Sequence, residues 1–245
     1  MSDLATIDVY FSVHGFQEED VKGKTVVIID VLRASSSIIQ ALQNGANKII
    51  PVEDLATAGR IAQTMETADF LLCGEKDGIK IEGYHLGNSP LEYTEESIKG
   101  KTLIFNTTNG TKAIKKAALA KQIYIGTFLN MSSIVHMIQQ CSDQVVLICS
   151  GWRGKQSLED TLCAGTILNA LGASNQPQIL KDGAKIAFAL FQQYGDSVVD
   201  TIFHSDHANR LKDLVSEDDI SFCSTSNTHD VLPVMKDGII TFNHD

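Results

Sequence analysis

Short apolar runs alternate along the chain with segments of helical periodicity. The run at 25–29, TVVII, is rich in β-branched residues, as expected of a buried parallel strand. Asp30 ends this run, and apolar residues then recur between 38 and 42 with the spacing of a helix face. Ser35, Ser36 and Ser37 precede them and predict the helix start. The segment therefore predicts a strand, a polar corner and a helix.

The same alternation continues to about residue 194. Further strand-like runs lie at 7–13, 48–52, 70–73, 102–105, 122–127 and 145–149. Helical patterns occupy 54–66, 131–141, 157–171 and 181–194, and another ends near 120. Alternating strands and helices predict an α/β fold, a three-layer α/β/α arrangement with a mostly parallel, mixed sheet.

The pattern weakens beyond residue 197. A helical stretch at 198–214 is followed by short apolar runs at 220–223 and 239–242. Because the chain shows no repeat, linker or low-complexity segment, we expect residues 1–245 to form a single domain.

Polar clusters follow four of the predicted strands. They are the segment from Asp30 to Ser35, the pair Gly74-Glu75, the turn at 106–111 and the segment at 150–155. Ligands bind outside the carboxyl ends of strands in open parallel sheets. One such cluster is ordinary loop chemistry, whereas four that converge on one edge favour a shared site for an anionic ligand.

Asp30 and Arg33 each have two interpretations. Asp30 either caps the following turn or binds Mg²⁺, which prefers one or two carboxylates together with waters and phosphate oxygens. Arg33 is either a surface cation or a fork onto a phosphate or sulfonate. The hydroxyls of the serine run and the first N–H groups of its helix are expected to be available to an anion.

Two further clusters also leave alternatives open. Glu159 and Asp160 follow Ser157 in an approximate capping box, yet adjacent carboxylates on a helix point roughly 100° apart, so one of them is free for a metal. The turn at 107–111, TTNGT, is either an ordinary Asn-Gly turn or an anion-binding turn in which Gly110 allows close backbone approach.

The glycine-rich loop at 76–90 is long enough to suggest a functional role. It leads into a predicted helix start with Ser89 as N-cap and Glu92 completing a capping box. His85, within the loop, is a candidate proton shuttle. His204 and His207 lie three residues apart without an evident third metal ligand, which favours a surface cluster.

The 245 residues carry a net charge of −10, which argues against nucleic acid or an acidic membrane surface as partner. An anionic substrate then requires local positive charge or a metal. Five scattered cysteines without zinc spacing, no apolar run long enough for a membrane span and no signal peptide lead us to expect a cytoplasmic protein. The oligomeric state stays open, with a homodimer as one expectation.

Several phosphate-handling signatures are absent from the sequence. Gly154-Lys155 is followed by Gln156 rather than the Ser or Thr of a Walker A motif, and Leu32 replaces the second aspartate of the haloacid dehalogenase motif. No cysteine has the arginine spacing of cysteine phosphatases. These absences favour a metal-assisted phosphohydrolase in which water attacks phosphorus, with a covalent route through Asp30 as the alternative.

Five stretches together resemble the 2-phosphosulfolactate phosphatases of the coenzyme M biosynthetic route. They are IIDVLRASSSI (28–38), CGEKDG (73–78), GYHLGNSPLEY (83–93), NTTNGTKA (106–113) and CSGWRGKQSLEDTLCAG (149–165). The resemblance implies a Mg²⁺-dependent hydrolase that removes phosphate from 2-phospho-3-sulfolactate on a three-layer α/β fold. It also implies site roles for Asp30, Glu75, Asn88, Thr108, Asn109, Glu159 and Asp160.

Residue patterns and resemblance together give one set of assignments. The expected catalytic residues are Asp30, Arg33, Glu75 and Asn109. The expected contacts to a small anionic phosphoester are Ser35, Ser36, Asn88, Ser89, Thr107, Thr108, Gly110 and Arg153. The expected Mg²⁺ ligands are Asp30, Glu159 and Asp160. Two alternatives remain: a non-catalytic module that binds a phosphorylated metabolite, and a related phosphatase for a different small phosphorylated organic acid.

Overall fold

A computed structural model describes residues 6–242. The strands are β1 (Ile7–Tyr10), β2 (Thr25–Ile29), β3 (Lys48–Val52), β4 (Phe70–Lys76), β5 (Ile79–Lys80), β6 (Thr102–Asn106), β7 (Gln122–Gly126), β8 (Val145–Cys149), β9 (Pro233–Lys236) and β10 (Ile239–Phe242). The helices are α1 (Ala34–Gln43), α2 (Leu55–Ala62), α3 (Glu95–Ile98), α4 (Gly110–Lys116), α5 (Met131–Gln140), α6 (Leu158–Ala170), α7 (Asp182–Tyr194), α8 (Val198–Phe203), α9 (Asp206–Lys212) and α10 (Glu217–Cys223).

The strands of the described range form one sheet in the order β1-β8-β2-β7-β9-β10-β3-β6-β4-β5. Strands β1, β8, β2 and β7 are mutually parallel, as are β3, β6 and β4. The hairpin β9–β10 joins the two blocks through antiparallel pairs with β7 and β3. The second block therefore runs opposite to the first along the sheet.

Strand β2 is the centre of the packing, because every residue from Thr25 to Ile29 is buried. Val27 and Ile29 face a core shared with α5 and α6, while Val26 and Ile28 face a second core that includes α1 and Phe105 of β6. Helices thus cover both faces of the sheet. This arrangement confirms the predicted three-layer α/β/α class with a mixed sheet.

Several element boundaries differ from the predictions. The entry strand ends at Tyr10 rather than 13, and the predicted helix 54–66 shortens to α2, with the Asp54 side chain accepting the Thr57 N–H as N-cap. The predicted stretch 198–214 is two helices, α8 and α9, because Ser205 caps a new helix start. The apolar run at 220–223 is the end of α10.

The start predicted at Ser89 is only a single 3₁₀ turn, Pro90–Glu92. Its capping box does not form: the Glu92 carboxylate accepts the N–H of Gly87, and the Ser89 hydroxyl donates to Asp219. Across residues 6–242, no helix has both the length and the apolar character that a membrane crossing needs.

Candidate active site

A small cavity of about 70 Å³ lies where the segments after β2, β4, β6 and β8 meet. Eight of the predicted site residues line it: Asp30, Arg33, Glu75, Asn88, Thr107, Thr108, Asn109 and Arg153. The four polar clusters therefore converge as the sequence predicts. The remaining predicted site residues are not among those that line it: Ser35, Ser36, Ser89, Gly110, Glu159 and Asp160.

The four polar clusters do not meet at one edge of a flat parallel sheet. Strands β2 and β6 belong to blocks that run in opposite directions, so their carboxyl ends lie at opposite edges of such a sheet. Neighbouring strands twist by about 20–25°, so the five steps from β2 to β6 accumulate a rotation of over about 100°. Val26 and Ile28 of β2 consequently share a core with Leu103 and Phe105 of β6. The residues that follow β2 and β6 line the same cavity.

Asp30 is a buried carboxylate that is only half satisfied. Its Oδ1 accepts the N–H of Ala34 at 3.1 Å, so it caps the corner, while no hydrogen bond to the described residues uses Oδ2. Burial raises the pKa of Asp30 to about 6, and the negative charges of Glu75 and Glu159 act in the same direction. A bound cation would relieve this unfavourable charge.

The serine run differs from its prediction. Helix α1 begins at Ala34, so Ser35 and Ser36 lie inside its first turn. The Ser35 hydroxyl accepts the N–H of Asp30, the Ser36 hydroxyl donates to the Val31 carbonyl, and the Ser35 N–H donates to the Asp30 carbonyl. These groups bond to the strand end instead of being free for an anion, so this corner does not form the predicted anion cradle.

Arg33 is not a surface cation, since it is 4% exposed on the cavity wall. One terminal nitrogen donates to Asp219 at 2.5 Å and the other to the carbonyl of Gly78 at 3.2 Å. The guanidinium is therefore held in a fixed orientation on the cavity wall.

Glu75 joins the loops that follow β4 and β6. Its Oε1 accepts the N–H of Thr108 at 2.7 Å, and its Oε2 accepts from the Thr108 hydroxyl at 3.0 Å and the Gly78 N–H at 2.6 Å. With both oxygens engaged, Glu75 shapes the cavity wall through the positions of Thr108 and Gly78.

Asp160 plays a similar part between β2 and β8. Its two oxygens accept the N–H groups of Val31 at 2.8 Å and Gly151 at 3.0 Å. Burial, together with the charges of Glu159 and Asp30, raises the pKa of this carboxyl. Ser157 does not cap α6 with its side chain, so the capping box predicted there is wrong.

Two amide side chains on the cavity wall retain polar atoms for a ligand. Asn88 is buried, and its Oδ1 has no hydrogen-bond partner among residues 6–242. Asn109 precedes α4 without capping it through its side chain. A buried amide oxygen without a partner is costly unless a ligand or water completes its hydrogen bonds.

The predicted Mg²⁺ ligands do not form a ready-made cage. Within the described chain, no three His, Cys, Asp or Glu side chains group closely enough to hold a metal ion by themselves. Mg²⁺ does not need such a cage, because it keeps waters and takes substrate oxygens. The free Oδ2 of Asp30 and the Oε2 of Glu159, which is buried without a partner in residues 6–242, fit a hard cation.

Helices α9 and α10 contribute residues that the sequence analysis missed. His207 and Arg210 of α9 line the cavity, and Asp219 of α10 pairs with Arg33. The Arg210 guanidinium donates to the carbonyl of Asp77 at 3.0 Å. Their partners lie far away in the sequence, so no local pattern reveals them.

His207 is not part of a surface cluster, which corrects the prediction. Its Nδ1 lies 2.7 Å from Oε1 of Glu159, and its ring stacks on Trp152 with 5.1 Å between ring centroids. His204 alone is exposed. His85 is also exposed and stands apart from the cavity wall, where its Nδ1 accepts the N–H of Leu72, so its position does not support a proton-shuttle role.

Comparisons with known proteins point to one family. The family model described as 2-phosphosulpholactate phosphatase matches residues 10–238. Three relatives carry the name "Probable 2-phosphosulfolactate phosphatase". The protein of Caldanaerobacter subterraneus subsp. tengcongensis is 39% identical over 242 residues, covering 99% of each chain. Those of Symbiobacterium thermophilum and Thermotoga maritima are 38% and 40% identical, covering 90% and 89% of this chain and 94% and 92% of their own.

Proposed function

Because the chain belongs to the 2-phosphosulpholactate phosphatase family, we propose that it hydrolyses 2-phospho-3-sulfolactate to 3-sulfolactate and phosphate. The observation that carries the proposal is the half-satisfied, buried carboxylate of Asp30, which lines the same cavity as Arg33 and the side-chain amides of Asn88 and Asn109. A cavity that only binds a phosphorylated metabolite needs the cationic and amide groups but not the carboxylate.

The substrate carries phosphate, carboxylate and sulfonate groups, and a protein of net charge −10 must attract it locally. Three arginines stand on the cavity wall: Arg33, Arg153 and Arg210. Arg153 lies over the Trp152 ring at 4.8 Å, and Arg210 is anchored at Asp77. Planar guanidinium groups bind phosphate and carboxylate through paired hydrogen bonds, which suits a substrate with several anionic ends.

Asp30 and Glu159 are the residues that would hold Mg²⁺ through their free oxygens. When bound, the ion polarises a phosphoryl oxygen and offsets negative charge on the departing alkoxide. Asp160 and Glu75 hold the surrounding loops in place by accepting hydrogen bonds from backbone N–H groups. The amides of Asn88 and Asn109 orient substrate oxygens.

His207 is the residue that would accept the proton of the attacking water. If the ring is neutral, the hydrogen bond to Glu159 places its proton on Nδ1 and leaves Nε2 as the base. Stacking on Trp152 fixes the ring plane. Water then attacks phosphorus in line with the leaving oxygen. The new P–O bond forms as the ester P–O bond breaks, and the proton taken up at Nε2 passes to the departing alkoxide, so no covalent intermediate forms on the protein.

The family also carries finer expectations, which we include in the proposal: Mg²⁺ as cofactor, a place in coenzyme M biosynthesis and a cytoplasmic location. The oxygen donors at Asp30 and Glu159 support Mg²⁺ as the cofactor, whereas the pathway and the location rest on the family alone.

Phosphate release from a panel of phosphoesters, with Mg²⁺ and with EDTA, tests the proposal. The panel contains 2-phospho-3-sulfolactate, 2-phospholactate, which lacks the sulfonate, and a phosphorylated alcohol without an acid group. We expect turnover to fall in that order and to stop in EDTA. Binding of the panel without phosphate release would instead support a non-catalytic module, and a preference for another ester would identify a related phosphatase.

A further inference from the structure

Asp219 is a buried carboxylate that touches two predicted site residues but has no site role in the sequence analysis. It is 2% exposed on helix α10. Its Oδ2 accepts from Arg33 at 2.5 Å, and its Oδ1 accepts from the hydroxyl of Ser89 at 2.6 Å. Both oxygens are therefore committed to segments that border the cavity.

The position of Asp219 in its own helix does not explain this burial. An acidic residue in the first turn ordinarily serves the helix N-terminus. Here Ser216 caps α10 by accepting the N–H of Asp218, and Glu217 and Asp218 supply acidic charge to the same turn. The helix thus has its cap and its favourable charge without Asp219.

Stability alone is also a weak explanation for the pair with Arg33. Replacing a buried ion pair with apolar residues of similar volume is often neutral or stabilising, because two charges must be desolvated. The members of the pair are 186 positions apart in the sequence, and Arg33 lines a cavity that also contains Arg153 and Arg210. The contact with Asp219 restricts the orientation of the Arg33 guanidinium on the cavity wall.

Two anchors define the plane of the Arg33 guanidinium. Asp219 holds one terminal nitrogen and the Gly78 carbonyl holds the other, at 3.2 Å. Because the guanidinium is planar with five N–H groups in fixed directions, two anchors fix where its remaining donors point. Without Asp219, the Gly78 contact alone would allow the group to rotate.

We propose that Asp219 is a positioning residue that orients Arg33 for the anionic substrate, and that Ser89 acts by holding Asp219 rather than by binding substrate. The inference rests on the proposed function, because it takes an anionic phosphoester as the ligand of Arg33. It gives α10, in the part of the chain that the sequence left unassigned, a defined role in the site.

Asp219→Asn is the primary test, because it keeps the shape and removes the charge. Losing the charge-assisted contact that orients a binding group predicts a KM for 2-phospho-3-sulfolactate raised by about tenfold or more, with a smaller change in kcat. Affinity for inorganic phosphate, measured by calorimetry, should fall in parallel. Glu217→Gln is the matched control: it removes the same charge from an exposed position of the same helix and should leave both values unchanged.

A double-variant cycle separates positioning from a purely structural role. In an Arg33→Ala background, Asp219→Asn should cause no further loss of phosphate affinity, since the residue that it orients is gone. Ser89→Ala should weaken phosphate binding less than Asp219→Asn does. Combined with Asp219→Asn in one protein, it should cause no further loss of affinity. Thermal unfolding of each variant confirms that the folded protein is being compared.

Unchanged KM and phosphate affinity in Asp219→Asn, or equal losses with and without Arg33, would overturn the inference. Failure of the proposed function looks different: the wild-type protein would release no phosphate from the phosphoester panel. The calorimetric comparison of wild type and Asp219→Asn with inorganic phosphate still decides the role of Asp219 in that case.

Discussion

The Nδ1 atom of His207 and the Oε1 atom of Glu159 lie 2.7 Å apart, although 48 residues separate them in the sequence. The contact joins α9 to the start of α6 and places a histidine ring on the cavity wall. An acid–base role for His207 therefore depends on Glu159, which the sequence assigned to a metal.

Replacing His207 with Gln should lower kcat by about 10²–10⁴-fold, the usual contribution of a general base. Glu159→Gln should cost at least about 10–100-fold, because it alters both the partner of the His207 ring and a proposed Mg²⁺ ligand. Steady-state kinetics at saturating Mg²⁺ measure both. His204→Gln, at an exposed position three residues away, is the control and should leave kcat unchanged. Wild-type turnover in His207→Gln would remove this residue from the reaction.

Gly110 lies against the corner that carries Asp30. A Cβ atom at this position would stand 2.7 Å from Cβ of Ala34 and 3.1 Å from Oδ2 of Asp30. Gly110→Ala should therefore cost about 1–3 kcal/mol of unfolding free energy through overpacking, and should lower kcat/KM because the carboxylate must move. Chemical denaturation and kinetics check the two effects.

The matched control for Gly110→Ala is Gly59→Ala in α2, where the added Cβ meets no atom within 4 Å outside its chain neighbours and the backbone of its own helix. Alanine is the better helix former, so this variant should gain about 0.5–1 kcal/mol of stability and keep full activity. If Gly110→Ala kept the stability and activity of Gly59→Ala, close packing of Gly110 against Asp30 would not contribute to function.

His229 predicts a pH dependence of stability away from the cavity. Its Nε2 lies 2.5 Å from Oε1 of Gln40 in α1, and burial lowers its pKa below the usual value of about 6.5. The His229 imidazole therefore binds a proton more tightly in the unfolded chain than in the folded protein. The contribution of neutral His229 to stability is complete above the usual histidine pKa and decreases as the pH falls below that value toward the lowered pKa of the folded state.

We expect His229→Gln to lose less melting temperature than the wild type between about pH 8 and about pH 5.5, since it removes this proton linkage. Thermal unfolding at a series of pH values measures the difference. The same substitution at exposed His14 should follow the wild-type curve. A steeper loss in His229→Gln than in the wild type would show that the sign is wrong.

Local patterns predicted the part of the site that is local in sequence. The strand, corner and helix around Asp30 follow from hydrophobic spacing over fewer than about twenty residues, and the four strand-end clusters meet at one cavity. The serine run was predicted to start the helix because a polar residue before an apolar helix face is typical of an N-cap. In the fold, Ser35 and Ser36 satisfy the strand end instead.

The remainder depends on contacts between distant segments. Asp219 meets Arg33 across 186 residues and Arg210 meets Asp77 across 133, and no short-range pattern encodes such pairs. The same holds for hairpin β9–β10, whose short strands insert between two parallel blocks and reverse the second. Local patterns therefore predict the strand-end residues of the cavity wall but not the residues of α9 that also line it.

Asp30 also decides between direct attack by water and a covalent phosphoenzyme. Its Oδ1 accepts the N–H of Ala34, and its Oδ2 is the oxygen that we propose for Mg²⁺. An oxygen that coordinates a cation is a poor nucleophile toward phosphorus, so we expect the water route. Asp30→Asn should then remove most activity through the loss of that ligand, with the fold retained.

Acid-quenching the enzyme during turnover of ³²P-labelled substrate distinguishes the two routes. Because an aspartyl phosphate survives acid, the covalent route would leave label on the precipitated protein, whereas direct attack by water leaves all label in free phosphate and substrate. We expect unlabelled protein at every time point, in the wild type as in Asp30→Asn. Label that appears on the wild type and disappears in Asp30→Asn would make Asp30 the nucleophile and exclude the direct route. Label that persists in the variant would point to another residue, because the covalent intermediate would then form without this carboxylate.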